Sequence, residues 1–145
     1  MSSLPLHSYK AEAKKRPQPA QVLTGSERGT LNALRMVAMA CRSAARTDLF
    51  QACALLSGER SVAQDAHARA LTRGLHQALG RRPLFYRSGE VDVTFDEAWI
   101  IRAISASRTG DFDSFQFLLR SRIAKPYRRQ IAFLVHAIAE RFCQD

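Results

Sequence analysis

The sequence predicts an all-α protein, a compact bundle of about six helices. Apolar residues recur about every three to four positions along most of the chain, which is the spacing of one helix face. Two capping boxes, Ser61-Val62-Ala63-Gln64 and Thr94-Phe95-Asp96-Glu97, mark helix starts, because their first and fourth side chains satisfy free backbone N–H groups. Gly58, Gly80 and Gly110 follow apolar segments and predict helix ends.

The length and composition predict one folded domain behind a tail. A chain of 145 residues is large enough for a single domain with its own core. Residues 1–24 contain three prolines and the basic run Lys14-Lys15-Arg16, so we predict a disordered basic tail there. We expect 25–145 to form a single helical domain, with an alanine-rich half at 26–80 and an aromatic-rich half at 84–145.

Three helices are predicted in the first half. The first covers about 26–46 and presents one apolar face to the core. The second, at 49–57, is apolar on nearly every side, so we expect it to be the most buried. The third begins at Ser61 and ends before Gly80. The inward face of the first helix consists of Leu31, Leu34, Val37, Ala38, Cys41 and Ala45.

The second half begins with a segment of different character. Residues 84–95 alternate apolar and polar side chains around a glycine, which predicts either a short β-hairpin or an extended loop. Helices are predicted at 95–108, 112–122 and 126–142. Asp111 caps the second of these, and Pro126 suits the first turn of the third. The inner stripe of the last helix consists of Tyr127, Ile131, Leu134, Ile138 and Phe142.

The charge of the chain points to an anionic partner. Its formal net charge is +9, and Arg outnumbers Lys 18 to 4. The planar guanidinium suits phosphate, although a GC-rich genome explains the same bias. The three cysteines show no paired spacing, and no apolar run resembles a signal peptide or reaches the ~20 residues of a membrane span. We therefore expect a cytoplasmic protein with no membrane contact.

Four arginines form the clearest pattern in the sequence. Arg28, Arg35, Arg42 and Arg46 are separated by 7, 7 and 4 residues, which places them on one face of the first helix, opposite its apolar side chains. No Asp or Glu lies three or four residues from any of them, so no helical neighbour neutralises their charge. We predict an exposed cationic ridge about 27 Å long. The alternative is an ordinary solvated helix face.

Two further basic groups extend this prediction. One is a shorter row on the third helix that includes His76, and the other is the segment 120–129, where five cations surround a helix start beside Tyr127. A helix-turn-helix interpretation of the last two helices is weak, because Pro126 replaces the usual glycine of the turn. The predicted contacts to nucleic acid or another anionic partner are Arg28, Arg35, Arg42, Arg46, Arg69, Arg73, Arg120, Arg122, Lys125, Arg128 and Arg129.

No set of residues specifies a reaction. Asp92, Asp96, Glu97, Asp111 and Asp113 lie close in sequence and form either an acid/base or hard-metal site, or a group of helix-start residues. We favour helix starts, because four of the five sit at predicted ones. No histidine or cysteine spacing fits a metal site, and no nucleophile motif occurs. We predict no catalytic residue, no metal and no cofactor.

Phe133 falls outside the main apolar stripe of the last helix, on the side of Arg129, His136 and Glu140. Either it packs between the two halves of the domain, or it anchors a partner. Packing between the halves predicts a loss of about 3–5 kcal/mol on Phe133→Ala, as for a buried aromatic.

One stretch of the second half resembles a known family. Phe115-x-Phe117-Leu118-Leu119-Arg120-Ser121-Arg122, followed by Arg128-Arg129-x-Ile131-x-x-Leu134, is similar to the C-terminal helical pair of the small subunits of multi-subunit CRISPR effector complexes. Those subunits are basic, all-helical and non-enzymatic, and they line the nucleic-acid path. The resemblance implies an all-helical subunit beside nucleic acid, assigns no role to any single residue, and does not extend to the segment 84–95.

Two functional hypotheses follow from the sequence. The first is a non-catalytic basic helical module that contacts nucleic-acid backbone through its arginine rows, within a larger assembly. The second is a regulatory adaptor that binds an acidic protein surface. Both hypotheses depend on the same cations, so their placement in the fold decides which residues reach a partner.

Overall fold

The structure is a computed structural model that describes residues 23–43 and 60–142, with side chains at 23–42 and 66–140. This part of the chain is helical and contains no strand, which confirms the predicted all-α class. Its helices are α1 at Gly25–Ser43, α2 at Arg60–Leu79, α3 at Phe95–Thr109, α4 at Phe112–Arg122 and α5 at Lys125–Phe142.

Local capping signals place three of these boundaries. The Thr94 hydroxyl accepts from the Glu97 N–H, and the Glu97 carboxylate accepts from the Thr94 N–H, so the predicted capping box is confirmed at the start of α3. Gly110 ends α3 with a φ of 74°, a left-handed conformation that favours glycine. Asp111 caps α4 by accepting from the Ser114 N–H, also as predicted.

The core forms around α5, which packs against α2 and α3. Ile131 and Ile138 of its predicted stripe are completely buried. The two helices come close at Gly74 of α2, where an added Cβ would lie 3.1 Å from Ile131 Cδ1. Small residues of α2 therefore bring α5 close, while α3 supplies bulky side chains such as Trp99, whose indole N–H donates to the Leu118 carbonyl.

A smaller apolar cluster joins α1, α3 and the α2–α3 loop. Leu31 of α1, Val93 of the loop, and Ala98 and Ile101 of α3 are buried together, with Leu23 packed against them. Because Val93 lies immediately before the α3 cap, its burial fixes the end of the loop against the helix that carries the arginine row.

The α2–α3 loop, residues 80–94, is extended with a turn at 88–89 and contains no strand, so the hairpin alternative for 84–95 is wrong. The alternation of apolar residues is misleading here. Val93 is 4% exposed, but Val91, which would share its face in a strand, is 66% exposed. The backbone groups of this segment are instead satisfied by side chains of α1 and α3.

Phe133 does not pack between the two halves of the domain. Its side chain is 64% exposed and touches only the edge of the His67 ring among the described aromatic contacts, with ring centroids 6.2 Å apart. The packing alternative for this residue is therefore wrong.

Several predictions concern residues outside the described part of the chain. These are most of the predicted tail at 1–24, the predicted helix at 49–57, Arg46 at the end of the arginine row, and the side chains of the capping box at Ser61. The helix that this box was expected to open already includes Arg60.

Candidate anion-binding site

Arg35, in the middle of the predicted ridge, is buried rather than exposed. Only 1% of the residue is accessible, because the α2–α3 loop and the start of α3 cover it. Its guanidinium binds the Glu97 carboxylate through two bonds, Nε to Oε2 at 2.6 Å and Nη2 to Oε1 at 3.1 Å. The prediction of an exposed ridge is therefore wrong at this position: a carboxylate from 62 residues away neutralises the charge.

The remaining donors of Arg35 hold the loop backbone. Nη1 donates to the Glu90 carbonyl and Nη2 to the Asp92 carbonyl, both at 2.8 Å. Arg28, one heptad earlier, donates to the carbonyls of Glu90 and Val91 at 3.2 and 3.0 Å. We call Arg28 and Arg35 with their loop carbonyls and Glu97 the loop clamp. Both arginines are structural here, so the first half of the row cannot form a free ridge.

Glu97 completes the loop clamp from the α3 side. Besides Arg35, its carboxylate accepts from the backbone N–H groups of Thr94 and Tyr86, at 2.9 and 3.1 Å. A buried carboxylate with this many donors has its charge fully compensated. Its role is to join α1, the loop and α3.

Asp96 makes a second buried ionic contact beside the first. Its carboxylate pairs with Arg81 of the loop at 2.8 Å and with Arg122 of α4 at 2.7 Å, and accepts from the Leu84 N–H at 2.7 Å. Burial alone raises the pKa of Asp96, but the bonds from Arg81, Leu84 and Arg122 outweigh it and lower the pKa to about 2. The same ion pair raises the pKa of Arg81.

Arg122, a predicted partner contact, is thus turned towards the protein. Its guanidinium also stacks over the rings of Phe95 and Trp99, at 4.8 and 5.7 Å from their centroids.

The helix-start interpretation of the acidic residues holds for Asp96 and Glu97. Each lies in the first turn of α3, and each also binds arginine. Among the described residues, no group of three or more His, Cys, Asp or Glu side chains could hold a metal ion.

Arg42, one heptad after Arg35, has the opposite environment. It is exposed and lines a cavity of about 440 Å³ between the C-terminal end of α1, α2 and the first residues of the loop. Arg73 and His76 of α2 and Arg82 of the loop line the same cavity. None of the described residues that line it is acidic. We call these four side chains and the space between them the basic cavity.

The other side of the basic cavity is less polar. Ala38 of α1 is buried, and Pro83, Leu84 and Phe85 of the loop contribute the remaining apolar surface. Phe85 packs partly against the main core, so the position of this wall is fixed by the fold. A ligand with one anionic and one apolar part matches such a lining.

A second, larger cavity differs in charge. It measures about 630 Å³ and lies between the start of α1, α3 and α4. Its lining carries the carboxylates of Glu27, Asp111 and Asp113 beside Arg102. Hydrogen bonds from the Ser114 hydroxyl and N–H lower the pKa of Asp111. Because these carboxylates would repel an anion, this cavity does not suit the anionic partner that the arginine-rich composition predicts.

The fold disperses the cationic segment 120–129. Arg122 faces Asp96, and Arg128 donates from Nε to the Ile123 carbonyl at 2.8 Å. Arg120, Lys125 and Arg129 are exposed at the α4–α5 corner, and none of them lines the basic cavity. Arg69 is half-buried on α2 and also lies outside that lining. The predicted contact residues therefore do not form one surface.

Sequence reasoning missed Arg82 as a partner to Arg42 and Arg73. Arg82 belongs to no helical row, because it lies in the short link between Gly80, which ends α2 with a φ of 71°, and Pro83. The sequence signal that could have predicted the position of Arg82 is the glycine and the proline on either side of it, Gly80 and Pro83. A helix-ending glycine followed closely by proline marks a sharp change of chain direction. Of the two arginines between them, Arg82 lines the cavity beside α1, whereas Arg81 pairs with Asp96 of α3.

Comparison of the chain with protein-family models, with curated proteins and with solved structures finds no match in any of the three. The resemblance of 115–134 to small subunits of CRISPR effector complexes stays a prediction. Of the helices that the structure describes, none has the length and hydropathy to cross a membrane.

Proposed function

We propose that this chain is a non-catalytic helical module that contacts nucleic-acid backbone, and that the basic cavity is its main contact. The observation that carries the proposal is the convergence of Arg42, Arg73, His76 and Arg82 from three separate elements on a lining with no carboxylate among the described residues. A net charge of +9 adds long-range attraction for a polyanion. Membership of a larger assembly belongs to the same proposal.

The elements around the basic cavity hold its cations apart and in place. Arg42 extends from α1, whose other face is buried in the core through Leu34 and Val37. Arg73 extends from α2, which packs against α5. An anion that enters the cavity meets side chains from both helices and from the loop, and gains charge-assisted hydrogen bonds there.

Two sets of described polar groups resemble catalytic pairs. Asp96 and Glu97 are each bound by arginine, so neither is placed to transfer protons. The Ser107 hydroxyl lies within hydrogen-bond distance of His136 Nδ1, and the imidazole stacks against Phe115. Neither Ser107 nor His136 lines the basic cavity or the larger one. These contacts support a binding protein rather than an enzyme.

The test is the salt dependence of binding to a fluorescent single-stranded oligonucleotide, measured by anisotropy with DNA and with RNA. The variant Arg42→Gln/Arg82→Gln removes two charges from the basic cavity. The matched control, Arg87→Gln/Arg108→Gln, removes one charge from the loop and one from α3, away from the lining. We expect the cavity variant to reduce the slope of log K against log salt by about 1.4, at roughly 0.7 per lost contact. Equal slopes for the two variants would overturn the proposal.

The alternative function, an adaptor for an acidic protein surface, gains some support from exposed aromatic side chains. Phe112, Phe117 and Phe133 are each more than half exposed and are therefore available for contact with another protein. The same anisotropy experiment distinguishes the two functions when unlabelled poly-glutamate and unlabelled poly-dT are used as competitors at the same concentration of negative charge. If poly-glutamate displaces the oligonucleotide as well as poly-dT does, the adaptor function is favoured.

A further inference from the structure

The shape of the basic cavity restricts the kind of phosphate that it suits. A phosphodiester within a strand carries one negative charge and continues in both directions, so it fits an open groove or ridge. A terminal phosphomonoester carries about −1.5 to −2 charges at pH 7 and continues in one direction only. The cations of the basic cavity surround a concave space of about 440 Å³, and the burial of Arg35 removes the middle of the open ridge that an internal backbone would follow.

The size and lining of the basic cavity match a single nucleotide. Sites for small ligands measure about 300–1,000 Å³ and combine apolar walls with a few placed polar groups. Here Arg42, Arg73 and Arg82 supply phosphate donors, while Pro83, Leu84 and Phe85 supply an apolar wall from the adjoining loop. Nucleobases bind apolar and aromatic surfaces of this kind with little sequence preference.

We infer that the basic cavity binds a terminal phosphomonoester of a nucleotide, with the phosphate on Arg42, Arg73 and Arg82 and the nucleoside against the wall formed by Pro83, Leu84 and Phe85. This inference rests on the proposed function, since it names which part of a nucleic acid that site takes. The same chemistry is present in a phosphorylated strand end and in a free mononucleotide.

The experiment compares five unlabelled probes in competition against a labelled, 5′-phosphorylated dT10. They are dT10 with a 5′-phosphate, dT10 with a 3′-phosphate, dT10 with neither, and adenosine 5′-monophosphate beside adenosine. We expect an end phosphate to improve the affinity of dT10 at least tenfold. We expect Arg42→Gln to reduce that gain to twofold or less, and Arg108→Gln to leave it intact. Whichever phosphorylated dT10 competes better identifies the strand end.

The outcomes separate this inference from the proposed function. If all forms of dT10 bind equally and Arg42→Gln weakens all of them, the proposed function stands and the end-phosphate inference is wrong. If adenosine 5′-monophosphate binds directly by calorimetry and adenosine does not, while no oligonucleotide binds, the phosphomonoester site stands and the nucleic-acid function is wrong. A phosphate gain that survives in both Arg42→Gln and Arg82→Gln places the phosphate elsewhere and overturns the inference.

Discussion

Arg35 and Arg42 lie one heptad apart on the same face of α1, yet they have opposite roles in the structure. Arg35 is buried in the loop clamp, where it meets Glu97 and two loop carbonyls. Arg42 is exposed in the basic cavity, which Arg73 and Arg82 also line. The same residue type in the same helical register is thus buried in one region and exposed in the other.

The difference arises from the path of the α2–α3 loop. The loop starts beside the C-terminal end of α1, where it contributes Arg82 to the basic cavity. It then crosses the helix so that Glu90 and Asp92 present carbonyls to Arg35, and α3 begins with Glu97 beside them. An arginine row on a helix therefore does not define a binding surface until the segments that cover the helix are known.

The largest expected effect is on the loop clamp. Arg35→Gln leaves the Glu97 carboxylate buried without its cation, and we expect a loss of about 3–5 kcal/mol in the free energy of unfolding. Arg42→Gln, at the equivalent heptad position, is the matched control and is expected to change stability by less than about 0.5 kcal/mol. Urea denaturation followed by circular dichroism measures both. A similar loss in the two variants would show that the row is uniform after all.

The next effect concerns acid stability at the neighbouring ion pair. The pKa of Asp96 is about 2 in the folded protein, against an ordinary value of 3.8. The folded state therefore binds this proton more weakly than the unfolded state, so the contribution is present above about pH 4 and is lost as the pH falls towards 2. It amounts to about 2 kcal/mol.

This acid effect is measured by urea denaturation across pH 2–6. Asp96→Asn is expected to be less stable than the parent at pH 6 and to approach it near pH 2, so the difference between the two proteins shrinks on acidification. Asp113→Asn, which removes an exposed carboxylate from α4, is the control. A constant difference between Asp96→Asn and the parent across the range would contradict the assignment of the ion pairs to Asp96.

A smaller effect is expected at the outer end of the loop clamp. Arg28 is half-exposed and donates to two loop carbonyls without a carboxylate partner among the described residues. Arg28→Gln is expected to reduce the free energy of unfolding by about 0.5–1.5 kcal/mol, as for ordinary hydrogen bonds. Hydrogen exchange of the Glu90 amide, which donates to the Arg87 carbonyl, is expected to accelerate. If exchange there is unchanged while stability falls, Arg28 acts through α1 and not through the loop.

The smallest effect on stability is expected in the basic cavity itself. Arg82→Gln removes an exposed side chain with no ion pair among the described residues, so stability is expected to change by less than about 0.5 kcal/mol. Oligonucleotide affinity at low salt is expected to fall severalfold, and this is measured by anisotropy. Arg87→Gln, on the same loop but outside the lining, is the control. A fall in stability of several kcal/mol would move Arg82 to the structural class of Arg35.

Features that depend on nearby residues were predictable from the sequence. The capping box at Thr94, the helix end at Gly110 and the cap at Asp111 each involve residues within about one helical turn, and all are confirmed. The buried faces of α1 and α5 also follow from helical spacing, since Leu31, Leu34, Ile131 and Ile138 are inside. Arg28, Arg35 and Arg42 follow one another at heptad spacing along α1, as predicted, but Arg35 is buried and Arg46 lies outside the described residues.

Features that depend on distant residues were not predictable in the same way. Glu97 is 62 residues from Arg35 in the sequence. The absence of acidic residues three or four positions from Arg35 therefore does not show that this arginine lacks an ion pair. The alternation of apolar and polar residues at 84–95 fits a strand as well as a loop. The segment is a loop because the loop clamp satisfies its carbonyls with side chains of α1, which are distant in sequence. Phe133 shows the same limit, because helical spacing places it outside the main apolar stripe of α5 but does not tell whether a distant segment covers it, and the side chain is exposed.

The most direct test of the comparison is a ¹H–¹⁵N spectrum of the arginine Nε–Hε groups during titration with 5′-phosphorylated dT10. We predict that the signals of Arg42, Arg73 and Arg82 move on binding, while those of Arg28 and Arg35 stay in place and the Arg35 proton exchanges slowly with water. Movement of Arg28 and Arg35 with unchanged signals in the basic cavity would contradict it, because the loop clamp would then be the binding surface.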